Sequence, residues 1–236
     1  MSFDFYQSFE TPCPYLDGQV RQDIFTQEQN LNPQQLQSLL DFGFRRSGTM
    51  VYRPACPQCS ACQPTRILVK EFKPSRSQRR CLKRNQDLTW TWSSLCNDRE
   101  HIELYQQYQQ FKHLGHMDGS AEDYLEMFSH PNGMAKHIDF RKNGELVGVS
   151  IVDVLPDGLS SVYFYFSPKY LHLSLGTFSA LVEIQECLER HLSTWYIGYI
   201  VEQCPKMSYK AQFQPQERLV DDTWVSMNNS ELNKQL

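Results

Sequence analysis

The residues from His137 to Val201 constrain the fold of this chain more than any other segment. Two apolar, β-prone stretches flank Asn143-Gly144, a pair that is typical of a tight β-hairpin turn. Pro156-Asp157-Gly158 marks a second turn, and the strand-like run SSVYFYF follows it. SLGTFSALVEIQECLERHL then has the length of a long helix, and WYIGYIV is typical of a further strand. The segment therefore predicts three antiparallel strands, a helix and one more strand.

This order of elements is that of an N-acyltransferase core in an α+β fold. The earlier part of the chain, to about Trp92, has short apolar pieces that Pro and Gly interrupt. We therefore predict a smaller, cysteine-containing N-terminal domain over residues 1–95 and an acyltransferase-like domain over residues 96–236.

Three helices are predicted ahead of this core. NPQQLQSLLDFGF has Asn32 as a capping residue and Pro33 in the first helical position. The run from Asp98 to Phe111 has the apolar spacing of an amphipathic helix. A third helix is expected through Tyr124 and Phe128.

The cationic charge of the chain is concentrated between Lys70 and Arg84. Seven of the 23 Lys and Arg residues lie there with one of the 27 acidic residues, so that 16 basic and 26 acidic residues remain elsewhere. Five of these cations fall between Arg76 and Arg84. Such a run is often a solvated helix face, but on an acidic body it also draws a polyanion to one side of the molecule. We predict a phosphate-binding surface here.

Composition limits the class of protein. With 236 residues, 40% of them hydrophobic and 13% aromatic, the chain can bury a core and is not disordered. It has no apolar run of 18 residues, and its start lacks a basic segment followed by an apolar one. We therefore expect a cytoplasmic protein with no membrane partner. The net charge of −4 argues against a general DNA binder, so any nucleic-acid contact must be local.

Four of the eight cysteines form a candidate metal site. Cys56, Cys59 and Cys62 are spaced C-x2-C-x2-C, and Cys13 lies far upstream. Two-residue gaps let a tight turn bring thiolates to one zinc ion, and iron–sulfur clusters also use such steps with a distant fourth cysteine. The alternative is a set of buried or reactive thiols in a proline-rich turn. Three other cysteines are typical of helix or core positions: Cys81, Cys96 and Cys187.

Several long motifs resemble those of the aminoacyl-tRNA–protein transferases. They are SGTMVYRPACPQCSACQPTRI and SRSQRRCLKRN in the first part, and VDVLPDGLSSVYFYFSPKYLHLSLGTFSALVEI and YIGYIVEQCPKMSYKAQFQP in the second. The similarity extends from Cys13 nearly to Trp224. The family contains eukaryotic arginyltransferases and bacterial aspartate/glutamate leucyltransferases. The length, the CPYL start and the YRPACPQCSAC form are closer to the bacterial branch.

The resemblance implies an N-end-rule enzyme with a GNAT-like catalytic domain. It would transfer leucine from leucyl-tRNA to the α-amine of proteins that begin with Asp or Glu and so mark them for degradation. Two alternatives remain, which are arginyl-tRNA as the donor and a CoA-dependent N-acetyltransferase. CoA binding is disfavoured because the turn HLSLGTFS offers one glycine, Gly176, where a pyrophosphate loop has several.

The implied reaction defines the catalytic groups to look for. Its donor ester is already activated, so no cofactor is required, and the protein must position the amine, stabilise an oxyanion and accept a proton. For the oxyanion we predict Lys206 or Lys210, which follow the last strong strand. Asp153 lies in an otherwise apolar strand, where it could accept the proton, hold a lysine or make a structural hydrogen bond. Tyr209 is a further candidate for proton relay.

Arginines are the candidates for recognising the two anionic substrates. A guanidinium matches the carboxylate of an acidic N-terminal residue, and Arg53, Arg66 and Arg76 are possible partners, with Arg76 favoured. Four cations of the basic run are predicted to contact tRNA phosphates: Arg79, Arg80, Lys83 and Arg84.

Overall fold

The computed structural model describes residues 3–113 and 119–227. The strands are β1 (Tyr6–Gln7), β2 (Thr11–Pro12), β3 (Val20–Arg21), β4 (Asp23–Gln27), β5 (Arg45–Ser47), β6 (Met50–Pro54), β7 (Gln63–Leu68), β8 (Thr89–Ser94), β9 (Ala135–Lys142), β10 (Glu145–Leu155), β11 (Gly158–Phe166), β12 (Thr194–Ile200), β13 (Gln216–Val220) and β14 (Thr223–Met227). The α-helices are α1 (Pro33–Asp41), α2 (Arg76–Arg84), α3 (Arg99–His113), α4 (Ala121–Phe128) and α5 (Leu175–Glu189). Two 3₁₀ helices cover Pro168–Leu173 and Ser208–Gln212.

A mixed eight-stranded sheet organises the molecule, with the strand order β14-β13-β7-β12-β11-β10-β9-β8. Its pairs are antiparallel except for β11 and β12, which are parallel. Strands β7 and β8 come from the first part of the chain, so the sheet crosses the boundary predicted near residue 95. A separate N-terminal domain is therefore not confirmed, and the division into 1–95 and 96–236 stays a prediction. A smaller sheet, β1-β4-β6-β5, and the β2-β3 hairpin complete the strands.

The local signals of the sequence have the expected physical outcome. Asn32 caps α1, and its side chain and that of Gln35 form a reciprocal capping box ahead of Pro33. Asn143 and Gly144 both take positive φ in the turn between β9 and β10, as a tight hairpin requires. The helices predicted near α3, α4 and α5 are confirmed as well.

Helices cover both faces of the large sheet and bury its core. Phe178 and Val182 of α5 pack with Phe140 of β9 on one face. Tyr105 of α3 and Tyr124 of α4 pack with strand residues on the other. Burying side chains of this size contributes roughly 1.5–3 kcal/mol each, which fixes the helices to the sheet. In the described residues, no helix has the length and apolar character needed to cross a bilayer.

The parallel pair β11-β12 separates part-way along its length. The two strands pair at Gly158–Ser160 and Thr194–Tyr196 and then stop pairing, although both continue. Register shifts near this point, between Ile151 and Val152 of β10 and between Tyr196 and Gly198 of β12, bend the neighbouring ladders. The separation opens a space between two central strands, beside the start of α5.

Candidate active site

A cavity of about 580 Å³ fills the space where β11 and β12 separate. Its walls come from the ends of these strands, the start of α5, β5 and the second 3₁₀ helix. The polar and charged side chains of its lining include Arg45, Ser161, Glu183, Lys206, Tyr209 and Lys210. Separated strand ends expose backbone polar groups, so this is a natural position for a ligand with hydrogen-bonding atoms.

Arg45 bridges the gap between the two strands. Its guanidinium donates to the carbonyl oxygen of Ser161 on β11 and, at 3.4 Å, to that of Tyr196 on β12. A cation thus replaces hydrogen bonds that the separated strands no longer make to each other. Burial lowers the pKa of Arg45, but a guanidinium stays charged. Sequence analysis missed this residue; the Arg-Arg pair in GFRRSG, between apolar segments, was the signal available.

Lys210 places a second cation beside Arg45. Its Nζ donates to the carbonyl oxygen of Tyr199 at 2.8 Å, which leaves further N–H groups for a ligand. Gly198 makes room for both, since a Cβ there would lie 3.3 Å from Nζ of Lys210 and 3.5 Å from the Arg45 guanidinium carbon. The φ of Gly198, +97°, also favours glycine. Burial, with the charge of Arg45, lowers the pKa of Lys210 to about 7.

The other two predicted residues of this segment also line the cavity. Lys206 is exposed, and Tyr209 is 43% exposed. Of the two lysines predicted from the sequence, Lys206 therefore lies at the mouth of the cavity and Lys210 lies inside it. Tyr209 neighbours the inner one in the same 3₁₀ helix.

A buried carboxylate forms part of the cavity wall. Glu183 of α5 is 1% exposed and accepts hydrogen bonds from Trp195 Nε1 at 2.7 Å and from the hydroxyl of Ser150. Burial raises its pKa. Sequence analysis missed Glu183 too, although an acid within the apolar run ALVEI is an anomaly of the same kind as Asp153.

The basic helix α2 lies at the rim of this cavity. At its start, Gln78 donates to the carbonyl oxygen of Gln212, in the 3₁₀ helix that carries Lys210, at 3.1 Å. At its end, Arg84 donates to the carbonyl oxygen of His172 at 2.8 Å and to Ser174 Oγ at 3.5 Å, where α5 begins. Ser174 lines the cavity. The helix therefore connects two of its walls.

The outward cations of α2 have no carboxylate partner among the residues that the structure describes. Within residues 3–113 and 119–227, none of them forms an ion pair with an acidic side chain, and all five are exposed: Arg76, Arg79, Arg80, Lys83 and Arg84. Cys81, on the inner side of the helix, is 5% exposed and packs in the core. Helical spacing thus sorts the basic run into a buried side and an exposed, charged side, and its last residue, Arg84, contacts Ser174 of the cavity lining.

Comparison with known proteins identifies the family. Profiles of the arginine-tRNA-protein transferase N terminus and C terminus match residues 11–80 and 100–220. An aspartate/glutamate leucyltransferase of Nitrosococcus oceani is 43% identical, over 94% of this chain and 95% of that protein. One of Pseudomonas fluorescens is 38% identical, over 95% and 97%. The chain belongs to the aminoacyl-tRNA–protein transferase family.

The fold of this family member is shared with a distant structure. The crystal structure of FemX aligns with a TM-score of 0.51 and 9% identity, over 99% of this chain and 90% of that one. At such low identity the likeness concerns the fold alone. It spans both parts of the chain, in agreement with a sheet that takes strands from each.

In this transferase Asp153 lies in a buried ion pair. Its carboxylate accepts hydrogen bonds from Arg46 Nε at 2.8 Å and Nη2 at 2.7 Å, and both side chains are fully buried. Arg46 also donates to the carbonyl oxygens of Gly48 at 2.7 Å and Phe128 at 3.0 Å. The carboxylate is not part of the cavity lining. Of the roles weighed for Asp153, this geometry favours the structural one.

The three arginines predicted for substrate recognition are not brought together. Arg53 pairs with Asp222 at 3.1 Å. Arg66 pairs with Glu217 and Asp41 at 2.7 and 3.0 Å, and its guanidinium stacks on Trp224 at 4.2 Å. Neither of them lines the cavity, and their charges are already balanced. Arg76 lies exposed in the first turn of α2, outside the cavity lining.

The four N-terminal cysteines gather beside the small sheet. Cys13, Cys56 and Cys62 line a void of about 10 Å³. Burial, followed by the neighbouring thiols of Cys56, Cys13 and Cys59, raises the pKa of Cys62 to about 12. The thiols are therefore near neighbours, as a shared metal requires. Among the described residues, however, no three of these four sulfur atoms lie within 4.8 Å of one another.

Proposed function

We propose that this protein transfers leucine from leucyl-tRNA to the α-amine of proteins that begin with Asp or Glu. Relatives named aspartate/glutamate leucyltransferase are 36–43% identical to it along nearly their whole length. The observation that carries the proposal is the cavity that holds Lys210 and Arg45 and has the basic side of α2 at its rim. One polyanion can thus be held outside while its ester end reaches two cations inside.

The tRNA would lie along α2. Phosphates of its acceptor arm would contact Arg79, Arg80, Lys83 and Arg84, whose charges have no carboxylate partners in the described structure. An open groove of about 690 Å³ runs beside the start of the helix, between Lys73 and Gln212. The terminal nucleoside and its leucine would enter the cavity past Ser174.

Inside the cavity the reaction joins an amine to an ester. The substrate amine attacks the ester carbonyl, a C–N bond forms, and the bond from the carbonyl carbon to the ribose oxygen breaks. Lys210 and Arg45, which lie half-buried in the cavity, would stabilise the negative charge that develops on the carbonyl oxygen. A protonated Lys210 would then give its proton to the leaving ribose oxygen and recover one from the amine, which a pKa of about 7 permits. Every atom of the step comes from the two substrates and this lysine.

The acidic side chain of the acceptor needs a cation without a partner. Among the three arginines predicted for this role, Arg53 and Arg66 already pair with carboxylates, whereas Arg76 has none in the described residues. Arg76 therefore stays the proposed partner. Its position at the start of α2 puts it on the same side of the molecule as the tRNA contacts.

The donor could also be arginyl-tRNA, since the matching family profiles carry that name. An arginine donor would need an acidic pocket. Of the described residues that line the cavity, Glu183 is the acid, and Trp195 and Ser150 occupy its carboxylate. Aromatic and aliphatic side chains line the same space, including Tyr163, Phe164 and Leu175. These contacts favour leucine.

One experiment separates the alternatives. The protein is incubated with leucyl-tRNA, arginyl-tRNA or acetyl-CoA and with peptides that begin with Asp, Glu or Ala, and the products are weighed. Leucine added to the Asp and Glu peptides supports the proposal. Addition of arginine instead, addition of acetyl, or equal leucylation of the Ala peptide would overturn the corresponding part of it.

We further propose a GNAT-like core and a metal site at the four N-terminal cysteines. A GNAT-like core is supported by the strand order, the separated parallel pair and the fold shared with FemX. The thiols of Cys13, Cys56, Cys59 and Cys62 fit a zinc ion or an iron–sulfur cluster as a donor set, and such a group would link the β2-β3 hairpin to the loop after β6. Iron and zinc content of protein purified without oxygen tests this, and an empty result would retire the idea.

A further inference from the structure

A second group of metal-binding side chains lies on the other part of the molecule. Just after β8, at the start of α3 and in β9, the chain brings together Cys96, His101 and His137, whose ligand atoms all lie within 4.8 Å of one another. Cys96 Sγ is 3.8 Å from Nδ1 of His101 and 4.0 Å from Nδ1 of His137. The two imidazole rings stack at 4.7 Å, and both histidines are at most 3% exposed.

The outer nitrogens of both rings are held by other residues. Nε2 of His101 lies 3.1 Å from Oδ1 of Asp139, and Asp139 accepts from the hydroxyl of Ser93 at 3.0 Å. Nε2 of His137 lies 2.8 Å from the hydroxyl of Tyr124. A His137 ring that donates Nε2–H to Tyr124 presents the lone pair of Nδ1 towards Cys96. Metal-binding histidines are oriented by carboxylate and hydroxyl partners in this way. Nδ1 of His101 lies 2.8 Å from Oδ1 of Asp98, so it must release that hydrogen bond and its proton to bind an ion.

Hydrogen bonding alone explains the group poorly. A thiol is a weak hydrogen-bond partner. In the described structure Nδ1 of the fully buried His137 lies 4.0 Å from Cys96 Sγ and 3.9 Å from Asp139 Oδ1. Neither is a normal hydrogen-bond length, and a buried nitrogen without a partner is unfavourable. One ion between the three ligand atoms would give the thiol and Nδ1 of His137 a partner, and it would replace the hydrogen bond between Nδ1 of His101 and Asp98.

The spacing suits zinc. Zn–S bonds of about 2.3 Å and Zn–N bonds of about 2.0–2.1 Å in a tetrahedron put sulfur and nitrogen about 3.5 Å apart, a few tenths of an ångström below the separations observed. Thiolate and imidazole are the ligands that zinc prefers. Asp98 lies on the open side, with Oδ1 2.8 Å from Nδ1 of His101 and Oδ2 3.5 Å from Cys96 Sγ. Its side chain is 57% exposed, and it would exchange its hydrogen bonds to His101 for a bond to the ion.

We propose that Cys96, His101 and His137 bind a zinc ion, with Asp98 as the fourth ligand. None of the four lines the cavity, so the ion would be structural. It would tie the start of α3 to β9 and, through Tyr124, to α4. It would also be independent of any metal at the four N-terminal cysteines, which lie in other elements. Cys96, which the sequence classed with core cysteines, would then be a ligand.

Metal content gives the first test. Wild-type protein, Cys96→Ser, His137→Gln and His172→Gln are stripped with chelator, offered zinc and desalted. His172→Gln is the matched control, since this histidine is exposed and outside the group. We expect wild type and His172→Gln to hold one zinc more per chain than the other two. Equal zinc in all four proteins would overturn the proposal, whatever the N-terminal cysteines contribute to the total.

A second measurement uses the wild-type protein alone. Wild-type protein is alkylated with iodoacetamide, with zinc or with chelator, and each cysteine is followed by peptide mass spectrometry. We expect zinc to slow alkylation of Cys96 at least about tenfold, since a metal-bound thiolate is a poor nucleophile. An unchanged rate at Cys96 would contradict the proposal even if zinc protected Cys56, Cys59 or Cys62. The result does not depend on the transferase reaction, because no tRNA or acceptor is present.

Discussion

Two groups of cations, one inside the cavity and one on α2, lie close together but differ in their exposure to solvent. Arg45 and Lys210 are inside the cavity between separated strands, whereas the cations of α2 stand in solvent at its rim. A charge in a water-poor site acts strongly on one nearby atom, and exposed charges act additively, at longer range and under salt screening. The inner cations should therefore set the rate of transfer, and the outer ones the affinity for tRNA.

The largest effect is expected when the inner lysine is removed. Lys210→Ala takes one of two cations from the proposed oxyanion position, and loss of one such donor lowers the rate about 10²- to 10³-fold. Single-turnover rates with saturating leucyl-tRNA and an Asp-initiated peptide measure this, and filter binding reports tRNA affinity, which should not change. Lys206→Ala is the comparison, since Lys206 lies exposed at the mouth, and we expect it to lose less than tenfold. Equal losses for the two lysines would break the distinction between inside and rim.

A different signature is expected for the outer group. Changing Arg79, Arg80 and Lys83 together to Ala should weaken tRNA binding and reduce the slope of log K against log salt by about two to three units, since Arg79 Nη1 also donates to the carbonyl oxygen of Pro74. The rate at saturating tRNA should stay near that of wild type. Arg99→Ala is a control, because this arginine is exposed on α3 and belongs to neither group. An unaltered salt slope in the triple variant would remove α2 from the tRNA interface.

The dependence of the rate on pH sharpens the role of the inner group further. Burial holds the pKa of Lys210 at about 7, so its charged form disappears as pH rises through 7. The substrate amine has a pKa of roughly 7.7–8.0 and becomes reactive as pH rises. With both requirements, the rate should peak at about pH 7 to 8 and fall on the alkaline side by several-fold. Initial rates corrected for intact leucyl-tRNA measure the profile.

Lys210→Arg provides the matched variant for this profile. An arginine stays protonated throughout the range, so its rate should rise with pH to a plateau and lose the alkaline fall. The absolute rate can be lower, because a guanidinium is larger than an ammonium, and only the shape of the profile decides. An alkaline fall that persists unchanged in this variant would assign it to another group.

The sequence could predict those features that depend on neighbours along the chain. The cap of α1 at Asn32, the turn at Asn143-Gly144 and the charged side of α2 all follow from residues a few positions apart. Lys210 could be predicted as a candidate because it follows a strong strand. The sheet that crosses the predicted domain boundary could not be predicted, since β7 pairs with β12 between Leu68 and Thr194 and between Gln63 and Ile200, which lie 126 and 137 positions apart.

The residues missed by sequence analysis depend on contacts across the fold. Arg45 acts through the carbonyl groups of Ser161 and Tyr196, which are 116 and 151 positions away. Asp153 was recognised as an unusual carboxylate in an apolar strand, but its role depends on Arg46, 107 positions away. An unexplained charge in an apolar segment thus predicts a partner without saying which. Glu183 shows the same limit.

The smallest effect is expected at Arg84, which lies between the two groups. Its Nη1 already donates to the carbonyl oxygen of His172, so part of its charge is turned towards the protein and away from a bound phosphate. Arg84→Ala should therefore reduce the salt slope by less than the full unit expected for Lys83→Ala. Because the same contact holds the turn that leads to Ser174, the rate should also fall, by about two- to threefold. A full unit of slope with an unchanged rate would make Arg84 one more outer cation, and the boundary between the two groups would then lie at Ser174 itself.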